Sequence, residues 1–263
     1  MDRKKIIKFL ILYLIISFSL KNSDKIYSQQ IKVMTFNIYH GVNMEGNFDL
    51  DAIAEIINNE NPDFVALQEV DKNTGRTDHT DIPGILAGKT HMEAFFGKAM
   101  DFDGGEYGVA ILSKHTVTEY QIKVLPGKPK EEPRTSLSVK ARLDSGVFIN
   151  FVSTHLDHKE KNHSRDLQVN ELINTYLKSD IPTILAGDFN DLPQSKPIST
   201  LLKYCDAVFQ KSGIQPTYPS DDPKKKIDYI FVSPKNKWTV ISSKVIPGMA
   251  SDHRAFVAVI ELK

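Results

Sequence analysis

The sequence predicts an α/β protein built from two mixed β-sheets packed face to face, with helices on the outer faces. Three observations lead there. Apolar segments of strand length recur along the chain from about Ile31 to Lys263. Most are nearly continuous in apolar residues, the mark of strands covered on both faces. A few stretches of helical periodicity alternate with them. Two stacked sheets with helices outside give every strand its two covers.

The elements follow in order. IKVMTF (31–36), DFVALQ (63–68) and VAILS (109–113) read as strands. Asp49 is placed to cap a helix whose Ile53, Ile56 and Ile57 recur at helical spacing. SLSVKARL and VFINFVST, joined by Asp144-Ser145-Gly146, form a hairpin. Ser164 starts a second helix carrying Leu167, Val169, Leu172, Ile173 and Tyr176. TILAG (183–187), IDYIFV (227–232), TVISSKVI (239–246) and AFVAVIEL (255–262) complete the strands. The segment from Gly213 to Lys226 is too polar to be core. No repeat, low-complexity tract or linker interrupts this pattern, so residues 29–263 are expected to form one catalytic domain.

Residues 1–28 stand apart. Arg3, Lys4, Lys5 and Lys8 precede the apolar run FLILYLIISFSL. A basic flank before a short apolar run predicts a signal peptide, cleaved near Ser28, and a secreted or periplasmic protein. The run is shorter than the roughly 18 to 20 apolar residues that span a bilayer; an uncleaved membrane anchor is the alternative. The whole chain has 33 basic and 33 acidic residues. Residues 1–28 hold six basic and two acidic ones, which leaves the remainder at a formal charge of −4. That balance disfavours a nonspecific binder of duplex nucleic acid. Cys205, the single cysteine, excludes an internal disulfide and a cysteine-built zinc site. Its surroundings, KYCDAVF, suit a small buried hydrophobe.

The chemistry lies where the apolar strands stop. VMTF ends in Asn37, VALQ in Glu69, INFVST in His155, and ILAG in Asp188, with Asn190 two residues on. Asp228 opens a later strand, and Ser251-Asp252-His253 precedes the last. Each alone has an ordinary explanation, such as a turn residue, a surface charge or a core histidine. In this order they mark a rim on which rigid strand ends converge.

The segments TFNIYHG, ALQEVD, YGVAILSK, STHLD, GDFND, IDYIF and SDHRA resemble the endonuclease/exonuclease/phosphatase superfamily, which includes deoxyribonuclease I. They span about residues 35 to 255. DFDGGEYGVAILS, EPR and STHLDH are most similar to small bacterial members termed metal-dependent hydrolases. The resemblance implies a four-layer sandwich of two packed mixed β-sheets flanked by helices.

It also implies roles. Glu69 becomes the principal ligand of Mg²⁺ or Mn²⁺, with Asn37 and Asp252 nearby; hard oxygen donors suit such a cation. Asp228 and His253 become a dyad in which the carboxylate orients a neutral imidazole acting as base or phosphate contact. Asp188 orients the nucleophilic water, and Asn190 donates to a phosphoryl oxygen. His155 donates to phosphate or protonates the leaving group. Deoxyribonuclease-like relatives pair that histidine with a glutamate; here Asp103, Glu106 and Asp157 are the candidates. Arg134 and Tyr107 are candidate substrate contacts, since a guanidinium fork suits phosphate. Arg165 and Gln168 read as a solvated helix face, and His40 and His158 lie beside motif residues without a role.

The expected activity is hydrolysis of a phosphomonoester or phosphodiester by metal-assisted attack of water. A secreted endonuclease or exonuclease and a sphingomyelinase-like lipid phosphodiesterase are the enzymatic alternatives, and a non-catalytic binding module is the alternative of another class. The partner is a phosphoester substrate; no protein partner is implied.

Overall fold

The structure, a computed structural model, describes residues 29–159, 164–208 and 213–263. The expected signal peptide lies outside these residues. The first sheet contains β1 (Gln30–Asn37), β2 (Phe64–Lys72), β3 (Glu93–Phe102), β4 (Gly105–Ser113), β11 (Trp238–Val245) and β12 (Phe256–Leu262). The second contains β5 (Thr116–Leu125), β6 (Arg134–Arg142), β7 (Phe148–His155), β8 (Thr183–Asp188), β9 (Asp206–Ala207) and β10 (Asp228–Ser233). Their orders are β11-β12-β1-β2-β4-β3 and β5-β6-β7-β8-β10-β9. Both are mixed: β1 runs parallel to β2 and β7 parallel to β8, while the other pairs are antiparallel.

Period-two alternation sorts the side chains into three apolar layers. Val33, Phe64, Ala66 and Ile111 from the first sheet meet Leu137, Phe151, Ile184 and Ile230 from the second in the central core. Met34, Phe36, Val65 and Leu67 point outward, beneath α1 (Leu50–Glu60) and α2 (Ile82–Thr90). Val152, Leu185 and Phe231 point to the opposite outside, beneath α3 (Ser164–Leu172) and α4 (Lys196–Leu201). A π-helical turn, Ile173–Leu177, extends α3. This is the sandwich the sequence predicts.

Asp49 caps α1 as expected, its side chain accepting from Ala52 N at 3.0 Å. Three kinds of element escape sequence reading. The α2 segment IPGILAGKT holds two glycines and a threonine, so its intrinsic helix preference is weak; burial of Ile82 and Leu86 decides it. β3 and β5 are edge strands with mixed polarity. α4 has only six residues. The polar segment before β10 corrects another expectation: Thr217, Ser220 and Lys226 are buried. Its backbone holds the chain ahead of β12, through Arg254 N to Thr217 O at 2.8 Å and Ser220 N to Asp252 O at 2.7 Å.

Candidate active site

The alternation that builds the central core also aims the polar strand ends. Asn37 shares a face with Val33, His155 with Phe151, Asp188 with Ile184, and Asp228 with Ile230. All four therefore emerge at one end of the seam between the sheets. In the second sheet His155 pairs with Asp188 across β7 and β8, and Asp188 with Asp228 across β8 and β10. Three ionisable groups form a single cross-strand row. Gly187 permits it: a Cβ there would lie 2.1 Å from Thr154 O, forcing β8 away from β7 beside the row.

Glu69 arrives differently. Val65 and Leu67 face the outer helices, so strict alternation would bury Glu69 there as well. A bulge between Leu67 and Val70 inserts an extra residue. Glu69 occupies it with φ of 55°, while Val70 resumes the outward face. The left-handed conformation is uncommon for a non-glycine residue, and here it turns a carboxylate into the cleft.

The Asn37 amide joins the two sheets. Its Nδ2 donates to Glu69 Oε1 at 3.0 Å and to Asp188 Oδ2 at 3.2 Å. Ser251 Oγ donates to Asn37 O at 2.7 Å, fixing the segment that carries Asp252 and His253. His253 Nδ1 lies 3.0 Å from Asp228 Oδ2 and donates to it. The expected dyad geometry is present. Asn190, at φ 50°, bonds Asp188 Oδ1 through its backbone N–H at 2.8 Å.

The electrostatics are those of crowded, buried carboxylates. Burial and then Asp228 push Asp188 up to about 7. Burial raises Glu69 against the Asn37 bond, with Asp252 adding to the rise. Asp252 is also raised, chiefly by burial. Burial disfavours charge on His253, yet the charges of Asp228 and Asp188, the Asp228 bond and Asp252 raise it to about 10. In the metal-free protein the neighbouring carboxylates thus favour the protonated ring of His253.

His155 shows the opposite. Arg134 Nη1 donates to its Nδ1 at 2.8 Å. A guanidinium can only donate, so Nδ1 accepts. Nε2 lies 3.0 Å from Asn190 Nδ2, which donates to Leu156 O, and 3.5 Å from Asp188 Oδ2. Burial, then the Arg134 charge, hold His155 well below its usual value. Its Nδ1 partner is thus Arg134, and the acid facing its Nε2 is Asp188. Asp103 instead accepts from Arg76 N, and Glu106 pairs with Lys98.

Glu69, Arg134, His155, Asp188, Asn190 and His253 line a cleft of about 660 Å³, together with Tyr107 and Asp252, while Asn37 and Asp228 are buried outside that lining. The cleft also takes residues that sequence reasoning passed over. Arg165 is buried and bonds Asp191 Oδ2 at 2.9 Å, while Gln168 accepts from Asp157 N at 3.0 Å; the solvated helix face is corrected. His158 bonds Arg134 Nη2 at 3.1 Å. Arg76 lies 4.6 Å from the Phe102 ring centroid and is held by Asp71 through two bonds of 2.6 and 2.7 Å. Tyr218 packs 4.8 Å from the His253 ring. The only sequence signal for Arg165 and His158 was nearness to STHLDH; Arg76 and Tyr218 carried none. His40 is half-buried and outside this lining.

The donor set fits a hard divalent cation. Glu69 and Asp252 supply carboxylates crowded enough to be raised, and no thiolate or histidine cluster competes among the described residues. Oxygens of Asp188 and Asp228 and a ring nitrogen of His253 also lie within 4.8 Å of one another. There Asp228 and His253 already satisfy each other, which leaves the Glu69 side for the ion.

Comparison with known proteins identifies the fold and the family. The Escherichia coli (strain K12) protein named "Uncharacterized protein YbhP" is 24% identical over 225 residues, covering 80% of this chain and 87% of that one. An endonuclease/exonuclease/phosphatase structure from Beutenbergia cavernae superposes with a TM-score of 0.74 at 23% identity, covering 89% of this chain and 72% of its own. The mannosyl-6-phosphatase of Bacteroides thetaiotaomicron VPI-5482 gives 0.72 at 16% identity, covering 88% and 99%. The profile of the Endonuclease/Exonuclease/phosphatase family matches residues 34–253, from β1 to His253, and the chain belongs to that family of phosphoester hydrolases.

Proposed function

We propose that the protein is a secreted, Mg²⁺- or Mn²⁺-dependent phosphoesterase that hydrolyses a small phosphomonoester or phosphodiester. The observation that carries this reading is the Asn37 amide tying Glu69 to Asp188 across the seam, beside the bonded Asp228–His253 pair. Glu69, Asn37 and Asp252 would hold the cation, which would neutralise phosphoryl charge and polarise a bound water. Asp188, with its raised carboxyl, is suited to orient water and accept its proton near neutrality. His253 offers an imidazolium to a phosphoryl oxygen. His155, its ring aimed by Arg134, and Asn190 line the cleft where they can meet phosphoryl oxygens. Tyr107 and Arg134 wall the substrate side.

Small substrates are favoured over duplexes by the charge pairing of the walls. Arg76, Arg134 and Arg165 each face an acid, Asp71, Glu132 and Asp191 respectively. Paired guanidiniums still donate to one phosphate but give a weak field for a polyanion. The shared fold with a mannosyl-6-phosphatase makes hexose phosphates the first substrates to test.

A panel of p-nitrophenyl and bis-p-nitrophenyl phosphate, hexose and inositol phosphates, plasmid DNA and sphingomyelin decides the class. Turnover of at least one small ester with added Mg²⁺ or Mn²⁺, lost in excess chelator, is the expected result. Full activity in chelator would remove the metal assignment, and preference for plasmid would favour the nuclease. Export is tested by intact mass after expression in a secreting host: loss of about residues 1–28 is expected, and a retained Met1 in the membrane fraction would indicate an anchor.

A further inference from the structure

The cleft reaches farther than the groups that handle the phosphoryl. Those come from β1, β2, β7, β8 and β10 and from the segments after β8 and before β12. Met100 and Phe102, which also line it, come from β3, the edge strand of the first sheet. Beside them lies Arg76, on the loop between β2 and α2, with its guanidinium 4.6 Å from the Phe102 ring centroid and 5.8 Å from that of Tyr107. The proposed chemistry leaves this wall without a task.

The wall is held in place. Asp71, fully buried, accepts from Arg76 Nε at 2.6 Å and Nη2 at 2.7 Å, and from Thr74 Oγ1 at 2.6 Å. The loop itself is tied to the turn after β3, through Gly75 N to Asp103 O at 2.7 Å and Arg76 N to Asp103 Oδ2 at 2.6 Å. A Cβ on Gly75 would stand 3.0 Å from Asp103 Oδ2, so the residue before Arg76 has little room for a side chain. Two of the three guanidinium nitrogens are thus spent, and Nη1 is left without a protein partner among the described residues. A donor fixed this firmly loses little freedom when a ligand meets it.

Charge and shape narrow what would meet it. Asp71 already balances the Arg76 charge, which leaves little field for a second phosphate group. An alkyl chain would strip water from Nη1 and return no bond. One face of the Phe102 ring is taken by the guanidinium, which leaves less of it for a stacked nucleobase. A hydroxyl accepts from Nη1 without bringing charge, and the C–H face of the ring that carries it can pack on Met100 and Phe102. We propose that Arg76 is a specificity-determining residue that donates through Nη1 to a hydroxyl on the alcohol half of the substrate, a phosphate ester of a polyhydroxylated ring such as a sugar or cyclitol. The inference rests on the reading of the protein as a phosphoesterase.

The test compares wild type with Arg76→Gln, at saturating Mg²⁺, on hexose and inositol monophosphates, hexose bisphosphates, nucleoside monophosphates and p-nitrophenyl phosphate, whose ring carries no hydroxyl. Arg76→Gln should lower kcat/KM for at least one hexose or inositol monophosphate roughly ten- to a hundredfold, the usual effect of losing a charged donor to a hydroxyl. Its kcat/KM for p-nitrophenyl phosphate should be little changed. Arg76→Lys keeps a cation on Asp71 but has no second nitrogen to offer, so it should show the same selective loss and serves should the glutamine protein fail to fold. An arginine needed only for the fold lowers Tm and affects all esters alike. Equal losses on all esters, or no loss on any, would overturn the proposal. So would a wild type that hydrolyses p-nitrophenyl phosphate but no hexose or inositol monophosphate, or a selective loss confined to nucleotides or to bisphosphates; in each of these cases the phosphoesterase reading stands. No turnover of any ester with Mg²⁺ or Mn²⁺ would remove that reading and this inference with it.

Discussion

His253→Ala is expected to lower turnover by about two to four orders of magnitude, the range for a lost proton-handling group. The ring is held by Asp228 at 3.0 Å and lies 3.7 Å from Asp188, so its removal takes the imidazole away from both carboxylates. Asp228→Asn should also be impaired, and the double variant scarcely worse than the worse single one, because the two act as a unit. The same substitution carries a pH signature in the metal-free protein. The folded value of about 10 exceeds the ordinary 6.5 of an unfolded chain. The stability His253 contributes is therefore fully present below pH 6.5 and lost as pH rises through 10. Lys226, lowered to about 7, has the opposite slope in part of this window, so the quantity to read is a difference. In chelator, the Tm gap between wild type and His253→Ala should narrow steadily from pH 7 to pH 10. A gap independent of pH, or additive losses in the double variant, would reject the pair.

Glu69→Gly is expected to separate stability from activity. Loss of the principal carboxylate should reduce kcat/KM by roughly three orders of magnitude, if the cation supplies about 4 kcal/mol of charge stabilisation. The metal-free protein should melt at a higher temperature than wild type. Two costs vanish together: a carboxylate raised by burial, and a side chain at φ 55° in a bulge where glycine is at ease. Glu69→Ala should be equally inactive yet less stable than Glu69→Gly, since alanine keeps the backbone strain. Added Mg²⁺ should raise the Tm of wild type and leave both variants nearly unchanged. A glycine variant that melts below wild type in chelator would show that the bulge is not strained.

Strand ends were the legible part of the molecule. Asn37, His155, Asp188 and Asp228 each follow or precede an apolar run, and period two alone assigns them to one face. Edge strands and α2 were not legible, because packing rather than local preference sets them. Glu69 lines the cleft, yet its orientation depends on a bulge that no residue type in ALQEVD announces. The partner of His155 was sought among Asp103, Glu106 and Asp157, whereas Arg134 reaches its Nδ1 from the start of β6, 21 residues away. Arg165 and Gln168 read as solvated because polar residues usually are; here the cleft gives them buried partners.

The cross-strand row from His155 through Asp188 to Asp228 makes catalysis a proofreader of assembly. A slip of β8 by a single residue would swing Asp188 out toward α3 and α4 and bring Phe189 into the seam, since neighbours along a strand face opposite ways. Such a misthreaded molecule could keep its apolar layers roughly filled and its spectroscopic signature of secondary structure intact. It could not place three ionisable groups abreast. Turnover thus counts only correctly indexed sheets, and specific activity measured during refolding becomes a ruler for strand alignment that bulk spectroscopy lacks.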